Sequence, residues 1–256
     1  MSTSTTLATI PARPSAAVRS SRRRLFLPAV LIGTVVAVVG FWRTYFGPLL
    51  TGTVDEALIV HVHAATMVIW LALVIAQVWF AASGRVRLHV RLGSWVMVYS
   101  VLMVIVWLLT ISHAFAARLA TGDVFRAQRL LFGLLREVVF MAPFLAAGWV
   151  YRRRPEVHKR VMLVATTLIL APAIGRMTFL GFPVSLWKYM LIWPAPVYLL
   201  MVHDYRTKRL IHPAYVIGVL AMLTMRLVLP LNTSPAWHAM AAHITKLYQP
   251  SAAAPR

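Results

Sequence analysis

Seven apolar stretches of roughly membrane-spanning length, about 20 residues each, follow one another between residues 25 and 229, and nothing else constrains the fold so strongly. The chain has 256 residues, 60% of them hydrophobic and only 12% charged, with a mean hydropathy of +0.75. That is more apolar surface than a water-soluble domain hides in one core. In hydrocarbon a segment must satisfy its own backbone polar groups, and runs of this length do so as helices. The expected architecture is therefore all-α: a polytopic membrane helical bundle of about seven transmembrane helices, with the lipid bilayer as its partner.

The expected spans are 25–46, ended by Gly47-Pro48, then 56–82, 94–115, 130–151, 160–182, 186–202 and 214–229. Pro172, Pro194 and Pro196 mark kinks, because a proline inside a span frees a backbone carbonyl that neighbours must satisfy. Residues 1–24, rich in Ser, Thr, Ala, Pro and Arg, read as a disordered basic cytoplasmic leader, and residues 230–256 as an extracytoplasmic tail with a short interfacial helix around Ala236 to Ile244. The connection from Ala116 to Arg129 reads as a longer polar segment with a short surface helix. The leader and the loops after spans two, four and six carry 5, 3, 5 and 3 basic residues, sixteen of twenty-six. The positive-inside rule then places the N-terminus in the cytoplasm and the C-terminus outside. The formal net charge of +20 is spread over these short clusters rather than along one soluble face, which argues topology and no nucleic acid. The chain has no cysteine, so disulfides, thiolate metal sites, thioether-attached haem and iron–sulfur clusters are excluded.

Span two carries two histidines and a glutamine. At about 100° per residue, Glu56, His63, Met67, Trp70, Val74 and Gln77 share one stripe. His61 is about 200° from His63, so the two rings cannot hold one ion from a regular helix. Ionisable groups at membrane depth face the bundle interior and mark candidate sites. In the expected orientation His61, His63, His113, Arg136, Glu137, Arg176, Lys188 and Arg226 all fall in the outer half, whereas the inner half offers little except Gln77. The candidate cofactor-binding set is His63, His113, Arg136, Glu137, Arg176 and Gln77, with His63 and His113 as metal ligands. The alternative is a structural ion-pair network, Glu137 with Arg136 or Arg176. On the inner side His89, His158, His203 and His212 sit at span boundaries as interfacial anchors. Two of them, in His89-Val90-Arg91-Leu92 and His158-Lys159-Arg160-Val161, open spans three and five in a pattern that hints at a duplicated helical hairpin.

His61-Val62-His63, Gln77, Gly84-Arg85 with His89 and Leu92-Gly93, Arg153-Arg154-Pro155-Glu156-Val157-His158-Lys159-Arg160-Val161-Met162 with Arg176, and Asp204-Tyr205-Arg206-Thr207-Lys208-Arg209 with His212-Pro213 resemble an uncharacterised family of bacterial multi-pass membrane proteins. The resemblance implies a bacterial cytoplasmic (inner) membrane location and carries no activity with it. On His63 and His113 alone the chain is also loosely similar to membrane b-type cytochromes, which implies one haem b between helices; matched histidine pairs for a second haem are absent.

Three functions follow as expectations. The first is a redox protein holding haem b or a quinone in the outer half, with a quinone or another membrane redox protein as partner and Arg136 or Arg176 on haem propionates. The second is a transporter or receptor for a small anionic ligand bound by Arg136, Arg176 and Glu137. The third is a membrane assembly partner without a ligand. HExxH, GxSxG, CxxC and glycine-rich phosphate-loop motifs are absent from the sequence, so no enzyme class is assigned.

Overall fold

The structure is a computed structural model that describes residues 25–180 and 185–248. The expected leader, residues 1–24, lies outside the described residues, as do 181–184 and 249–256. Among the described residues, six helical segments are long and apolar enough to cross a membrane: Phe26–Leu50, Leu58–Ala82, Val86–Ala120, Val124–Val150, Pro155–Gly175 and Pro213–Thr233. The chain is a multi-pass membrane protein with an all-α helical bundle.

The first segment is α1 (Phe26–Phe41), a π-helical turn over Trp42–Phe46 and a last helical turn, Gly47–Leu50. The helix thus passes through Gly47-Pro48 instead of ending there. The wider π turn directly before Pro48 shifts the hydrogen-bond register, with Gly47 N–H donating to the Trp42 carbonyl. Then come α2 (Leu58–Ala82), α3 (Val86–Ala120) and α4 (Val124–Val150). The connection expected to be long is a tight turn. Gly122 takes φ +80° and the Asp123 carboxylate accepts from Arg126 N–H, so α4 is capped within three residues of the end of α3.

Helix α5 (Pro155–Leu168) breaks just ahead of Pro172 and resumes as α6 (Ala171–Gly175), followed by a 3-10 turn over Met177–Leu180. The sixth apolar stretch is also broken, into α7 (Leu186–Ile192) and α8 (Ala195–Lys208), at Trp193-Pro194. α7 and α8 run antiparallel to α5 and α6 over their whole length. Tyr189 donates to the Ala171 carbonyl at 2.6 Å, Trp193 Nε1 to the Thr167 carbonyl at 2.7 Å, and Asp204 meets Arg160. These bonds occupy carbonyls at the α5 to α6 break. Helix α9 (Pro213–Leu227) leads through a 3-10 turn, Leu229–Thr233, into α10 (Pro235–Tyr248), which covers the expected tail helix and docks on α4.

The hub is the segment from Pro155 to Gly175, 67% buried in its most apolar window, against 17% for α2. It touches α1, α4, α8 and α9. Helix α2 instead lies at the side of the bundle, burying the stripe Thr66, Trp70, Val74 and Gln77 against α3 and α1.

Candidate functional site

Antiparallel α3 and α4 bring Trp107 and Glu137 to one level, each about 15 residues, or some 22 Å at ~1.5 Å per residue, from the turn at Gly122. The His63 ring of α2 joins them, 6.0 Å from the Trp107 ring. Arg176, directly after α6, lies in electrostatic range of both Glu137 and His63. Arg136 is in range of Glu137, of Arg226 from α9 and of Tyr189 from α7. Five helical segments and the residue that follows α6 therefore converge at this level, here termed the His63 end.

The cluster is cationic and incompletely bonded. Arg136 Nη1 donates to the Met225 carbonyl at 2.8 Å, Arg176 Nη1 to the Pro172 carbonyl at 3.1 Å, and Arg226 lies 4.5 Å over the Tyr189 ring. Arg176 is exposed and lies 4.6 Å over the Phe41 ring. Among the described residues none of these arginines closes an ion pair with Glu137. Glu137 Oε2, Arg136 Nε, Arg226 Nε and His63 Nδ1 are buried without a hydrogen-bond partner, and so is Trp70 Nε1, two turns below His63 on the same stripe. A buried polar atom without a partner costs about 1–3 kcal/mol, more if charged, so several in one place call for explanation.

His113 and Gln77 are placed elsewhere. His113 is exposed; it follows Trp107 by six residues, hence by about 9 Å along α3 and about 120° around it. Gln77 is 14 residues beyond His63 on α2, about 21 Å away at 1.5 Å per residue, and serves the opposite end. With its amide oriented to satisfy both groups, Gln77 donates to the His89 carbonyl at 3.0 Å and accepts from Gly93 N–H at 3.0 Å. His61, on the opposite face of α2, bonds Tyr45 of the π turn at 2.9 Å.

The opposite, Arg160 end holds the fully bonded charges. Arg160 is 1% exposed; its Nε and Nη2 bind Asp204, and Nη1 binds the Glu156 carboxylate at 2.8 Å. Lys159 and Lys208 close on Glu156 at 2.7 and 3.0 Å, and Arg160 lies 5.3 Å over the Tyr215 ring. Sequence reasoning placed Arg160 and Asp204 at loop boundaries and missed their pairing. Tyr189 and Trp107 were missed as neighbours of the cluster, since an aromatic residue at membrane depth carries no mark separating site from core. No family model, no curated protein and no solved structure matches this chain.

Proposed function

We propose that this membrane protein binds a small anionic ligand at the His63 end, as a transporter or receptor. The observation that supports this reading is the set of unpartnered buried atoms on Glu137, Arg136 and Arg226, in a cluster with three guanidinium groups and one carboxylate. Excess positive charge at membrane depth is strongly unfavourable without a counter-charge, and an anion accepting from Arg136 and Arg226 would supply one. Glu137, in range of two arginines but paired with neither, is suited to hold a proton that enters with the anion. The breaks at Ile169–Leu170 and Trp193-Pro194 give the helices beside the cluster places to bend.

The orientation belongs to this reading: N-terminus cytoplasmic, C-terminus outside, in a bacterial cytoplasmic membrane, with α7 and α8 together as the seventh crossing beside α5 and α6. Reporter fusions after Arg24 and at Arg256 test it, and both ends on one side would reject it. Binding is tested on the purified full chain by tryptophan fluorescence, because Trp107 adjoins His63. Phosphate, sulfate, acetate and succinate are titrated in zwitterionic nanodiscs and again with phosphatidylglycerol. Saturable quenching that disappears in Arg136→Gln supports the site; loss of it in phosphatidylglycerol assigns the ligand to lipid headgroups. No response to any anion, or an unchanged response in Arg136→Gln, refutes it. The redox alternative needs His63 and His113 on one iron, and protein made with ample haem would then show a Soret band. The anion reading expects none.

A further inference from the structure

Between α3 and α4, in the half nearer the Arg160 end, runs an open groove of about 520 Å³. It is lined by residues between Met97 and Ile105 on α3 and between Ala142 and Val150 on α4. Small side chains, Ser100, Ala142 and Ala146, leave the gap, and the larger Val98, Ile105 and Trp149 stand exposed beside it. Apart from the Trp149 indole the one polar side chain in the lining is Ser100, whose Oγ already donates to the Met97 carbonyl at 2.7 Å. The lining therefore asks for a hydrocarbon guest. From Met97 to Ile105 the groove runs ~12 Å at ~1.5 Å per residue, close to the depth of one leaflet, which is half of a hydrocarbon core of about 30 Å. That length matches one acyl chain lying along the helices.

Charge decides which lipid. At the mouth of the groove Arg152 lies 4.4 Å over the Trp149 ring and donates to the Trp149 carbonyl at 3.0 Å. Arg91 precedes Val98 by two turns on the same face of α3, and Arg91 and Arg152 are each about 30 residues from the turn at Gly122, so they reach one level. Both carboxylates of this end, Glu156 and Asp204, are taken by Lys159, Arg160 and Lys208. Among the described residues Arg91 and Arg152 close no ion pair, nor do Arg85, Arg87, Arg153 and Arg154. A zwitterionic lipid would fill the groove but bring its own cation to these arginines. A second copy of the chain, oriented alike in the membrane, would set six more arginines beside them. An anionic phospholipid supplies the tail and the counter-charge together, and basic pockets between membrane helices bind such headgroups.

We infer that the α3–α4 groove holds one acyl chain of an anionic phospholipid whose phosphate accepts from Arg91 and Arg152, independently of the anion site at the His63 end. In the test the full chain is solubilised, stripped of lipid and titrated with dioleoyl-phosphatidylglycerol or dioleoyl-phosphatidylcholine, bound lipid being counted by native mass spectrometry. Wild type is expected to retain one phosphatidylglycerol and to prefer it about 25-fold, each basic residue beside an anionic lipid contributing about fivefold. Arg91→Gln with Arg152→Gln should bring the preference near unity. Arg118→Gln with Arg129→Gln removes the same charge from the other end of the two helices and should leave the preference as it is. Ala146→Phe fills the groove and should weaken retention by more than about tenfold, the equivalent of fewer than two buried methylenes. Unfolding curves confirm that the variants fold. If Ala146→Phe does not, phosphatidylglycerol brominated on its acyl chains decides: it should quench wild-type fluorescence and quench Trp149→Phe less. Equal retention of the two lipids by wild type, an unchanged preference without Arg91 and Arg152, or its loss without Arg118 and Arg129 would each overturn the assignment. So would unchanged retention in folded Ala146→Phe, equal quenching of Trp149→Phe, or a dimer that Ala146→Phe dissociates, which would give the groove to a second copy.

Discussion

At the Arg160 end each of the three nitrogens of one nearly inaccessible guanidinium has an acceptor, and the buried atoms left without partners are a phenol oxygen, Tyr215 Oη, and an imidazole nitrogen, His203 Nε2, whereas at the His63 end Arg136, Glu137 and Arg226 themselves keep buried atoms without partners. Both ends concentrate arginine and carboxylate, and both draw on α5 or its continuation and on α9. They differ in stoichiometry. Asp204 and Glu156 face Arg160, Lys159 and Lys208, and every one of these charges is paired. Glu137 faces Arg136 and Arg176, with Arg226 beyond, and no pair closes. The Arg160 network has the properties of a clamp between α5 and α8. The His63 cluster has those of a place held ready for something else.

The largest effect that would sharpen this contrast is loss of the clamp. Asp204→Ala leaves Arg160 charged and buried, and should cost about 3–5 kcal/mol in thermal or denaturant unfolding of the solubilised protein. The double replacement Arg160→Met with Asp204→Leu should recover much of that loss, because paired apolar groups need no partner. A near-neutral Asp204→Ala would show that the pair is not structural.

Next, at the His63 end, Glu137→Gln should leave unfolding within about 1 kcal/mol of wild type, since no bond to the carboxylate is broken. It should nevertheless alter anion affinity at least tenfold in the fluorescence titration. A stability loss as large as that of Asp204→Ala would erase the distinction between the two ends. Smaller again is Tyr45→Phe, which removes the bond to His61 and should cost about 1 kcal/mol with anion binding unchanged. Changed binding would bring His61 into the site.

The smallest effect is one of pH. His212 precedes α9 and accepts from Ala214 N–H, a bond only the neutral ring can make; burial, and then the nearby Arg160, hold it below the ordinary histidine range. Its contribution is therefore complete above the unfolded value of about 6.5 and is lost as pH falls through the lower folded value. His212→Asn keeps a capping acceptor without titrating and should flatten the acid side of the stability profile slightly. An unchanged profile would show that another group sets it.

Much of the bundle was legible because hydrophobic length is a one-dimensional signal: α2 and α9 lie within about two residues of expectation, which is the usual scatter of helix ends. The breaks at Pro172 and Pro194 were equally plain, since a missing N–H acts locally. The start of α5 was not, because Arg160 reads as a loop residue until Asp204, 44 positions later, is known to meet it. The passage of α1 through Pro48 depended on a π turn that no residue type announces. Within the candidate site, depth alone grouped His63, Arg136, Glu137 and Arg176. Depth says nothing of azimuth, and His113 was grouped with them for that reason; Gln77 was grouped by its stripe on span two, and a stripe says nothing of depth. The pair His89 and His158 left a trace in the repeated His-x-Arg pattern, but only packing of the two hairpins shows the rings adjacent.

Gly40 of α1 lies so close to the Ala173 carbonyl of α6 that a Cβ there would overlap it, and α1 also packs on α8. Helix α1 thus makes a very close backbone approach to a segment synthesised much later. At about 5–20 residues per second of synthesis, the wait for Ala173 is on the order of 10 s. During that interval the side of α1 that will meet α6 must face lipid, α2 being the early-made neighbour on another side, which its sequence permits by being apolar around its whole circumference from Phe26 to Phe41. Biogenesis, rather than the finished bundle, is where a polar substitution on the α6-facing side of α1 would first be felt.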